Sequence, residues 1–359
     1  MIPLWANKPA GRASVSRRYH ERLRSGAWRG FARCVLILGP VAVAALLLAA
    51  CAGNQPDVLR PGGSGAEQIR TLTLQIVIIL SAVLLTVWIL LAIVIIRYRH
   101  RPEAEASQTR GNLGLEIVWT AIPAVIVAVL FVLTVRTTLQ IALPDPGAQF
   151  TTVGHQWWWE FDFPNEGFKT ANEVYVPVGR PVSIDLRSTD VIHSFWVPQM
   201  GGKVDMNPGH VNHVRFFPLK TGRYLGECSE FCGVQHGRMR FLFIVTTPQK
   251  YSAWMHDQAL PARPPTGAEA VAGGQLIQTI ACGSCHTIRG TAMKGTVGPD
   301  LTHFGSRSGI AAFTLPNTPP NLLAWLQNPQ TVKPGCKMPQ IPLPLQEQQQ
   351  LVAYLEELK

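Results

Sequence analysis

Charged residues are scarce in this chain of 359 residues, where Asp, Glu, Lys and Arg together make up 15%. A hydrophobic share of 47% excludes an intrinsically disordered chain, and the length favours two or three modules over a single domain. Eight Lys or Arg residues against one Glu give residues 1–50 a formal charge of +7, so only +3 of the net +10 belongs to the rest. An evenly basic surface is therefore excluded, which argues against a nucleic-acid partner.

The N-terminal segment has the pattern of a secretory signal, because basic residues in the first 33 positions precede an apolar run over residues 34–50. The run ends in Leu-Ala-Ala followed by Cys51, which resembles a bacterial lipoprotein processing box. Cleavage there would remove residues 1–50 and leave a lipid-bearing Cys51 at the new N-terminus. The alternative is an uncleaved first transmembrane helix with Cys51 as an ordinary residue.

Two further runs, over about residues 72–96 and 117–136, are apolar and long enough to cross a hydrocarbon core about 30 Å thick. They predict a transmembrane hairpin within residues 71–141. The connecting loop is rich in arginine, at Arg97, Arg99, Arg101 and Arg110. The positive-inside rule places this loop in the cytoplasm. The N-terminus of the mature chain and everything after the second span then lie on the outer face of a bacterial plasma membrane.

Residues 145–250 change character to short β-prone runs separated by Gly and Pro, which predicts an all-β sandwich or barrel. The runs are residues 149–153, 173–176, 182–186, 211–217 and 241–245. Candidate metal ligands in this module are His193, Cys228, Cys232, His236 and Met239. Thiolate, imidazole and thioether ligands suit copper, and the two nearby cysteines can bridge two metal ions.

Two other interpretations of these residues stay open. Two cysteines and two histidines are also a zinc set, although Met239 argues against zinc, which rarely takes a thioether ligand. A disulfide between Cys228 and Cys232 is plausible in an exported protein.

The block from residue 71 to about residue 250 resembles subunit II of haem–copper cytochrome c oxidases, in which a transmembrane hairpin precedes a cupredoxin domain with a binuclear copper A centre. The resemblance implies that the copper ligands are His193, Cys228, Cys232, His236, Met239 and the backbone carbonyl of Glu230. It also implies that the Glu230 side chain helps to bind a magnesium ion at the boundary with subunit I.

The same resemblance assigns roles to two further positions. Residues 154–159, Gly-His-Gln-Trp-Trp-Trp, match the aromatic patch of the family, which implies electron entry at Trp157. Trp158 and Trp159 can equally be a packed edge or a membrane-interface belt. Glu116 matches a carboxylate at the cytoplasmic mouth of a proton pathway, and a solvated anchor at a helix end is the other interpretation.

The C-terminal module begins after an expected linker, residues 251–267, in which the Pro-rich residues 261–267 predict a semi-rigid segment. Cys282, Cys285 and His286 form a Cys-x-x-Cys-His motif, the attachment signal for c-type haem, and a redox dithiol would need a βαβ context that is absent here. Met338 is the candidate sixth iron ligand, since Met293 is too near His286 in sequence to reach around the macrocycle.

Residues 268–359 resemble a class I cytochrome c, with matching parts at residues 298–301 and in a terminal helix over 346–358. Cys336 has no evident partner and is expected to be a partly buried free thiol. The expected fold is therefore a membrane-anchored multi-domain chain: a two-helix transmembrane hairpin, an all-β cupredoxin sandwich and an all-α class I cytochrome c domain.

Taken together, the chain resembles the cytochrome c-fused subunit II of a bacterial proton-pumping terminal oxidase. The resemblance implies that electrons pass from cytochrome c or a cytochrome bc complex through haem and copper A to subunit I, which reduces oxygen to water. Neither exported redox module has an evident nucleophile or acid–base pair at a substrate site, which favours electron transfer without bond chemistry in this chain. The resemblance implies that the oxygen site lies in subunit I. Two alternatives stay open: the copper A subunit of a nitric oxide reductase, and a membrane-anchored electron shuttle that acts alone.

Overall fold

The computed structural model describes residues 57–98, 111–141 and 147–359. The expected leader, Cys51 and most arginines of the hairpin loop (Arg99, Arg101 and Arg110) lie outside these described residues.

Two long helices open the described part of the chain: α1, Ser64–Tyr98, and α2, Leu113–Ile141. Both are long and apolar enough to span a membrane, and their most apolar windows are 0% buried within the protein. A helix whose apolar side chains are exposed all round requires an apolar solvent, which a bilayer supplies. Pro123 lies inside α2, a position that membrane helices tolerate. The two helices contact each other, as expected of a hairpin.

The next module is a sandwich of two five-stranded sheets, with strand orders β3-β2-β1-β5-β8 and β4-β10-β9-β6-β7. The strands are β1 Phe150–His155, β2 Trp158–Phe163, β3 Phe168–Ala171, β4 Glu173–Pro177, β5 Val182–Ser188, β6 His193–Trp196, β7 Val204–Met206, β8 Asn212–Phe216, β9 Gly222–Cys228 and β10 Arg240–Thr246. The five β-prone runs overlap β1, β4, β5, β8 and β10. A short 3-10 helix, His236–Arg238, follows β9.

An aromatic core fills the space between the sheets and holds the strand ends in place. Phe241 stacks on Phe195 at 4.6 Å and meets the edge of Trp159 at 5.1 Å between ring centroids. All three rings are fully buried. Because β6 pairs antiparallel with β9, with Phe195 opposite Cys228, the start of β6 and the end of β9 meet at one edge of the sandwich.

Gly226 on β9 is expected to be intolerant of a side chain. An added Cβ would lie 2.1 Å from Cζ of Phe241, so Gly226→Ala must displace this buried ring. We expect a loss of roughly 1–3 kcal/mol of stability, the usual effect of overpacking a core. Thermal unfolding of the full-length protein, followed by near-ultraviolet circular dichroism, measures it. Gly202→Ala is the control, since no described atom lies within 4 Å of its added Cβ; equal melting temperatures for the two variants would contradict the prediction.

The C-terminal module is helical, with one short ribbon. Helix α3, Pro248–Ala259, precedes it. Its own elements are α4 Ala268–Thr279, α5 Cys282–Cys285, a 3-10 helix Phe304–Ser306, β11 Gly309–Ile310, β12 Leu315–Pro316, α6 Pro319–Gln327, α7 Pro329–Val332 and α8 Leu345–Glu357. Helices α4 and α8 cross so closely that a Cβ at Gly273 would lie 2.0 Å from the Gln350 carbonyl oxygen. The terminal helix falls within one residue of its predicted bounds.

The segment expected to be a linker is built into both modules. Its first part is helix α3, which begins after the N-cap Thr247 and stacks Trp254 on Tyr175 of the sandwich at 5.0 Å. Its second part is bonded to the helical module: the Ala262 N–H donates to the Arg289 carbonyl (2.9 Å), and the Thr266 N–H donates to the Glu357 carboxylate (2.7 Å). The segment therefore packs on the sandwich at one end and is hydrogen-bonded to the helical module at the other.

Candidate redox sites

The candidate copper ligands meet at the edge of the sandwich where β6 begins and β9 ends. His193 Nδ1 lies 3.8 Å from Cys228 Sγ. The loop after β9 brings Cys232 Sγ to 3.7 Å from Cys228 Sγ, and turns back so that His236 Nδ1 and Met239 Sδ lie 3.7 and 3.8 Å from Cys232 Sγ. The Glu230 carbonyl oxygen completes the group, 3.2 Å from Cys228 Sγ.

The donor set of this site fits a softer cation than zinc and does not contain a disulfide. Both cysteines are free, with sulfurs 3.7 Å apart against about 2.05 Å for an S–S bond. Met239, fully buried, directs its thioether at Cys232. A cluster of two thiolates with imidazole and thioether ligands is the set that copper prefers. The geometry therefore favours copper over the two other interpretations.

The two thiols are not equivalent without a metal. A hydrogen bond from Cys232, helped by one from His193, holds the pKa of Cys228 far below its ordinary value. The same sulfur contact raises the pKa of Cys232.

Asp190 orients His193 from behind. Its Oδ1 lies 2.8 Å from His193 Nε2, which leaves Nδ1 on the side of the sulfurs. Its Oδ2 accepts from the Gln156 N–H at 2.7 Å and pairs with the Lys337 ammonium at 3.3 Å. A carboxylate on the far nitrogen of a ligating histidine fixes the tautomer and the ring orientation.

We expect Asp190→Asn to weaken copper binding by about 10-fold to 100-fold, because the histidine loses its charged orienting partner. Competition titration with a copper chelator measures the affinity. Asp185→Asn is the matched control, since Asp185 Oδ1 pairs with His213 Nδ1 at the same 2.8 Å but away from the sulfurs. Equal copper affinity in both variants would argue that Asp190 has no such role.

A cavity of about 490 Å³ lies where the helical module meets the sandwich, and its walls include Cys282, Cys285, His286 and Met338. The His286 Nδ1 lies 2.8 Å from the Pro299 carbonyl oxygen and donates to it, so Nε2 is left as the metal-binding nitrogen. Burial lowers the pKa of His286, which keeps the ring neutral as an iron ligand requires. Gly298 is required beside it, since a Cβ there would lie 2.6 Å from His286 Cε1.

The two methionines and the unassigned cysteine of this module are separated by the fold. Met338 lines the cavity, whereas Met293 is buried in the hydrophobic core, 3% exposed, and is not among the residues that line the cavity. Cys336 is half-buried at the cavity wall, and the Gln330 side-chain amide lies 3.3 Å from its sulfur.

We call the sandwich, β1–β10 with the candidate copper ligands, the copper module. It supplies one wall of the same cavity, through His155, Trp157 and Trp158. The Trp157 indole N–H donates to the Cys232 carbonyl at 2.9 Å, and the Gln156 side-chain amide donates to it at 2.8 Å. Trp157 therefore touches the cavity and a candidate copper ligand at once. Trp159 is a core residue, as the packing interpretation expected, while Trp158 stacks on His155 at 4.3 Å.

Two carboxylates with predicted roles are exposed to solvent. The Glu230 carboxylate is exposed and pairs with Lys203 at 3.3 Å. Glu116 lies exposed in the first turn of α2. Sequence reasoning missed Asp190, although its place three residues before His193 is a usable signal. It also missed Lys333, for which no local pattern exists.

Comparisons with known proteins match each module of this architecture. Residues 60–136 match the family model "Cytochrome C oxidase subunit II, transmembrane domain", residues 168–246 match "Cytochrome C oxidase subunit II, periplasmic domain", and residues 270–359 match "Cytochrome c". Cytochrome c oxidase subunit 2 of Alkalihalophilus pseudofirmus is 37% identical over 331 residues, which cover 89% of this chain and 96% of the relative. The chain belongs to the cytochrome c oxidase subunit II family.

Two further relatives of this subunit II chain are similar over different lengths. Cytochrome c oxidase subunit 2 of Bacillus subtilis is 31% identical over 328 residues, and the match covers 85% of this chain and 91% of the relative. The periplasmic domain of subunit II of cytochrome oxidase of Bradyrhizobium japonicum is 30% identical, and the match covers 32% of this chain and 95% of that one, with a TM-score of 0.31.

Membership confirms the predicted family and the three-part fold class. The chain is a subunit of an oxidase, with an electron-transfer role and subunit I as its partner. It is anchored in a membrane and carries an outer-facing domain. The cytochrome c domain implies haem, and the subunit II domain implies copper A.

Proposed function

We propose that this chain is the electron-entry subunit of a bacterial aerobic terminal oxidase. Electrons arrive from a donor at the outer face, enter the helical module, cross to the copper module and continue to subunit I, where oxygen is reduced to water and protons are pumped. The observation that carries the proposal is the position of Trp157, which lines the haem cavity and donates a hydrogen bond to the Cys232 carbonyl. A short path through one side chain between two redox sites favours electron transfer.

The residues that would hold the haem are Cys282 and Cys285, through thioether bonds, and His286 and Met338, as ligands of the iron. Arg307 also lines the cavity, and its Nε is buried without a hydrogen-bond partner among the described residues. A cation with an unused donor suits the carboxylates of a haem. When bound, the haem and the copper ions supply the one-electron chemistry that protein side chains lack.

The residues that would hold the copper ions are His193, Cys228, Cys232, His236, Met239 and the Glu230 carbonyl. Their positions are fixed by strand register, by the aromatic core and by Asp190. Burial of His193, Cys232 and Met239 excludes water from the ligands. A rigid, dry site would reduce the rearrangement that accompanies each change of redox state.

Several finer roles belong to the same proposal. The Glu230 carboxylate would share a magnesium ion with subunit I, and Glu116 would open a proton path at the cytoplasmic end of α2. The donor would be cytochrome c or a cytochrome bc complex, and further oxidase subunits would surround the multi-pass anchor in the plasma membrane. Cys51 would carry the lipid of the processed N-terminus.

Electron paramagnetic resonance at low temperature with metal quantification, on the full chain purified from membranes, tests the proposal. We expect paired copper with a shared unpaired electron, one covalent low-spin haem and a large multi-span partner that co-purifies. Consumption of oxygen by this complex supports the oxidase, whereas exclusive consumption of nitric oxide identifies a nitric oxide reductase. A chain that purifies alone would be an electron shuttle, and zinc in place of copper would overturn the proposal.

A further inference from the structure

A buried lysine joins the helical module to the copper module. Lys333 directly follows helix α7 and is 3% exposed. Its ammonium donates to the carbonyl oxygens of Trp157 (2.8 Å), Arg238 (3.0 Å) and Ala311 (3.0 Å). Trp157 and Arg238 belong to the copper module, whereas Ala311 belongs to the helical module. One side chain therefore contacts Trp157 in the cavity wall, Arg238 in the loop that carries the candidate copper ligands (residues 228–239), and Ala311, which also lines the cavity.

The chemistry of this contact is specific to an ammonium group. Lysine has three N–H donors and no acceptor, and the three carbonyl oxygens use all three donors. Only 3% of Lys333 is exposed, and this burial lowers the pKa of its ammonium to about 7. Lysines are almost never fully buried unless their charge is compensated. Here the compensation comes from both modules, and it exists only while they are docked.

The carbonyl on the helical side is presented by an unusual turn. Ala311, Ala312 and Phe313 have φ angles of 51°, 56° and 59°, in the left-handed region that residues with a side chain rarely adopt. Ala311 and Ala312 also line the haem cavity. Three consecutive residues in this conformation persist only when the surroundings hold them, and Lys333 binds the first of their carbonyls.

Other contacts extend the interface on both sides of Lys333. The Arg238 guanidinium donates to the Val332 carbonyl at 2.8 Å, and the Gln235 side-chain amide donates to the Pro334 carbonyl. At a separate edge, the Glu173 carboxylate accepts from the Ser308 N–H at 2.9 Å. Gln235 and Arg238 lie in the loop that carries the copper ligands, so the helical module docks on that loop directly.

We propose that Lys333 is a positioning residue for electron transfer, which locks the haem cavity against Trp157 and the copper loop so that the transfer takes place within a fixed interface. This inference rests on the proposed function. A helical module held only by a tether would have to diffuse to the copper module before each transfer. A docked pair of modules transfers electrons without this diffusive step.

Lys333→Met tests the proposal in the complete oxidase complex, since methionine keeps most of the side-chain length and removes all three donors. A flash of light on a photoreductant starts electron transfer from the haem to the copper module. We expect its rate to fall about ten-fold, because a hydrogen-bonded charge is lost and the docked fraction falls. We also expect the rate to become dependent on solvent viscosity. Lys333→Arg keeps the charge, so its electron-transfer rate is expected to lie between the rates of Lys333→Met and of the unmodified protein. Lys294→Met, an exposed lysine of the same module, is the control and keeps the original rate.

Hydrogen exchange provides a readout that does not depend on electron transfer. We expect the backbone amides of residues 232–239 and 308–316 to exchange faster in Lys333→Met than in Lys294→Met, because these residues become exposed when the modules separate. Unchanged rate, viscosity dependence and exchange, with haem and copper spectra intact, would overturn the role of Lys333. A complex that lacks paired copper or covalent haem before any substitution contradicts the proposed function instead, while the exchange experiment still reports on docking.

Discussion

Serine at both Cys228 and Cys232 is expected to reduce bound copper and oxidase turnover to background. The two sulfurs lie 3.7 Å apart at the centre of the ligand group, and each also contacts a histidine at 3.8 or 3.7 Å. Serine hydroxyls are hard, weakly acidic ligands that cannot replace bridging thiolates for copper. Metal quantification and electron paramagnetic resonance on the purified complex measure the loss, with haem absorbance to show that the helical module is intact.

Cys336→Ser is the matched control for this experiment. It removes a thiol that lies at the cavity wall of the helical module and is not one of the candidate copper ligands, so copper content should equal that of the unmodified protein. Retention of paired copper in the double serine variant would show that the sulfurs of Cys228 and Cys232 are not the ligands.

Met338→Leu is expected to lower the reduction potential of the haem by on the order of 100 mV, because loss of a methionine axial ligand removes the group that raises it. Leucine has a similar volume and no donor atom, so the iron should become high-spin or take an outside ligand. Redox titration followed by absorbance measures the potential, and binding of carbon monoxide reports the open position.

Met293→Leu is the control for this second prediction. Met293 packs in the core of the same module, where leucine is a volume-conserving replacement that is expected to leave the haem potential unchanged. A potential that falls in Met293→Leu and not in Met338→Leu would reassign the sixth ligand.

The motifs that depend on near neighbours in the chain were predictable. Cys282, Cys285 and His286 lie within five positions, and one short loop carries Cys228, Cys232, His236 and Met239, so local spacing alone brings most of these ligand atoms together. The spans were predictable for a different reason, since long charge-free runs are typical of membrane-spanning helices. His193 lies too far from Cys228 in sequence for a local rule, because its approach depends on the register of β6 against β9.

The relation between the two modules could not be read from any local pattern. Residues 251–267 are expected to form a linker because residues 261–267 are Pro-rich, but Trp254 packs on the sandwich and Glu357 binds Thr266 at the other end. Composition describes how stiff a free segment is; it does not show which surfaces that segment meets after folding.

The sequence by itself determined the three modules, the membrane hairpin and nearly all of the candidate ligands, because hydropathy runs and short ligand spacings are properties of neighbouring residues. Only the tertiary structure decided that Trp157 forms a wall of the haem cavity, that Asp190 orients His193 and that Lys333 joins the modules. Lys333 and Trp157 are separated by 176 positions, and their hydrogen bond exists because two independently patterned modules present carbonyl oxygens to one buried ammonium. Such a contact depends on shape and charge across a surface, which no run of neighbouring residues encodes.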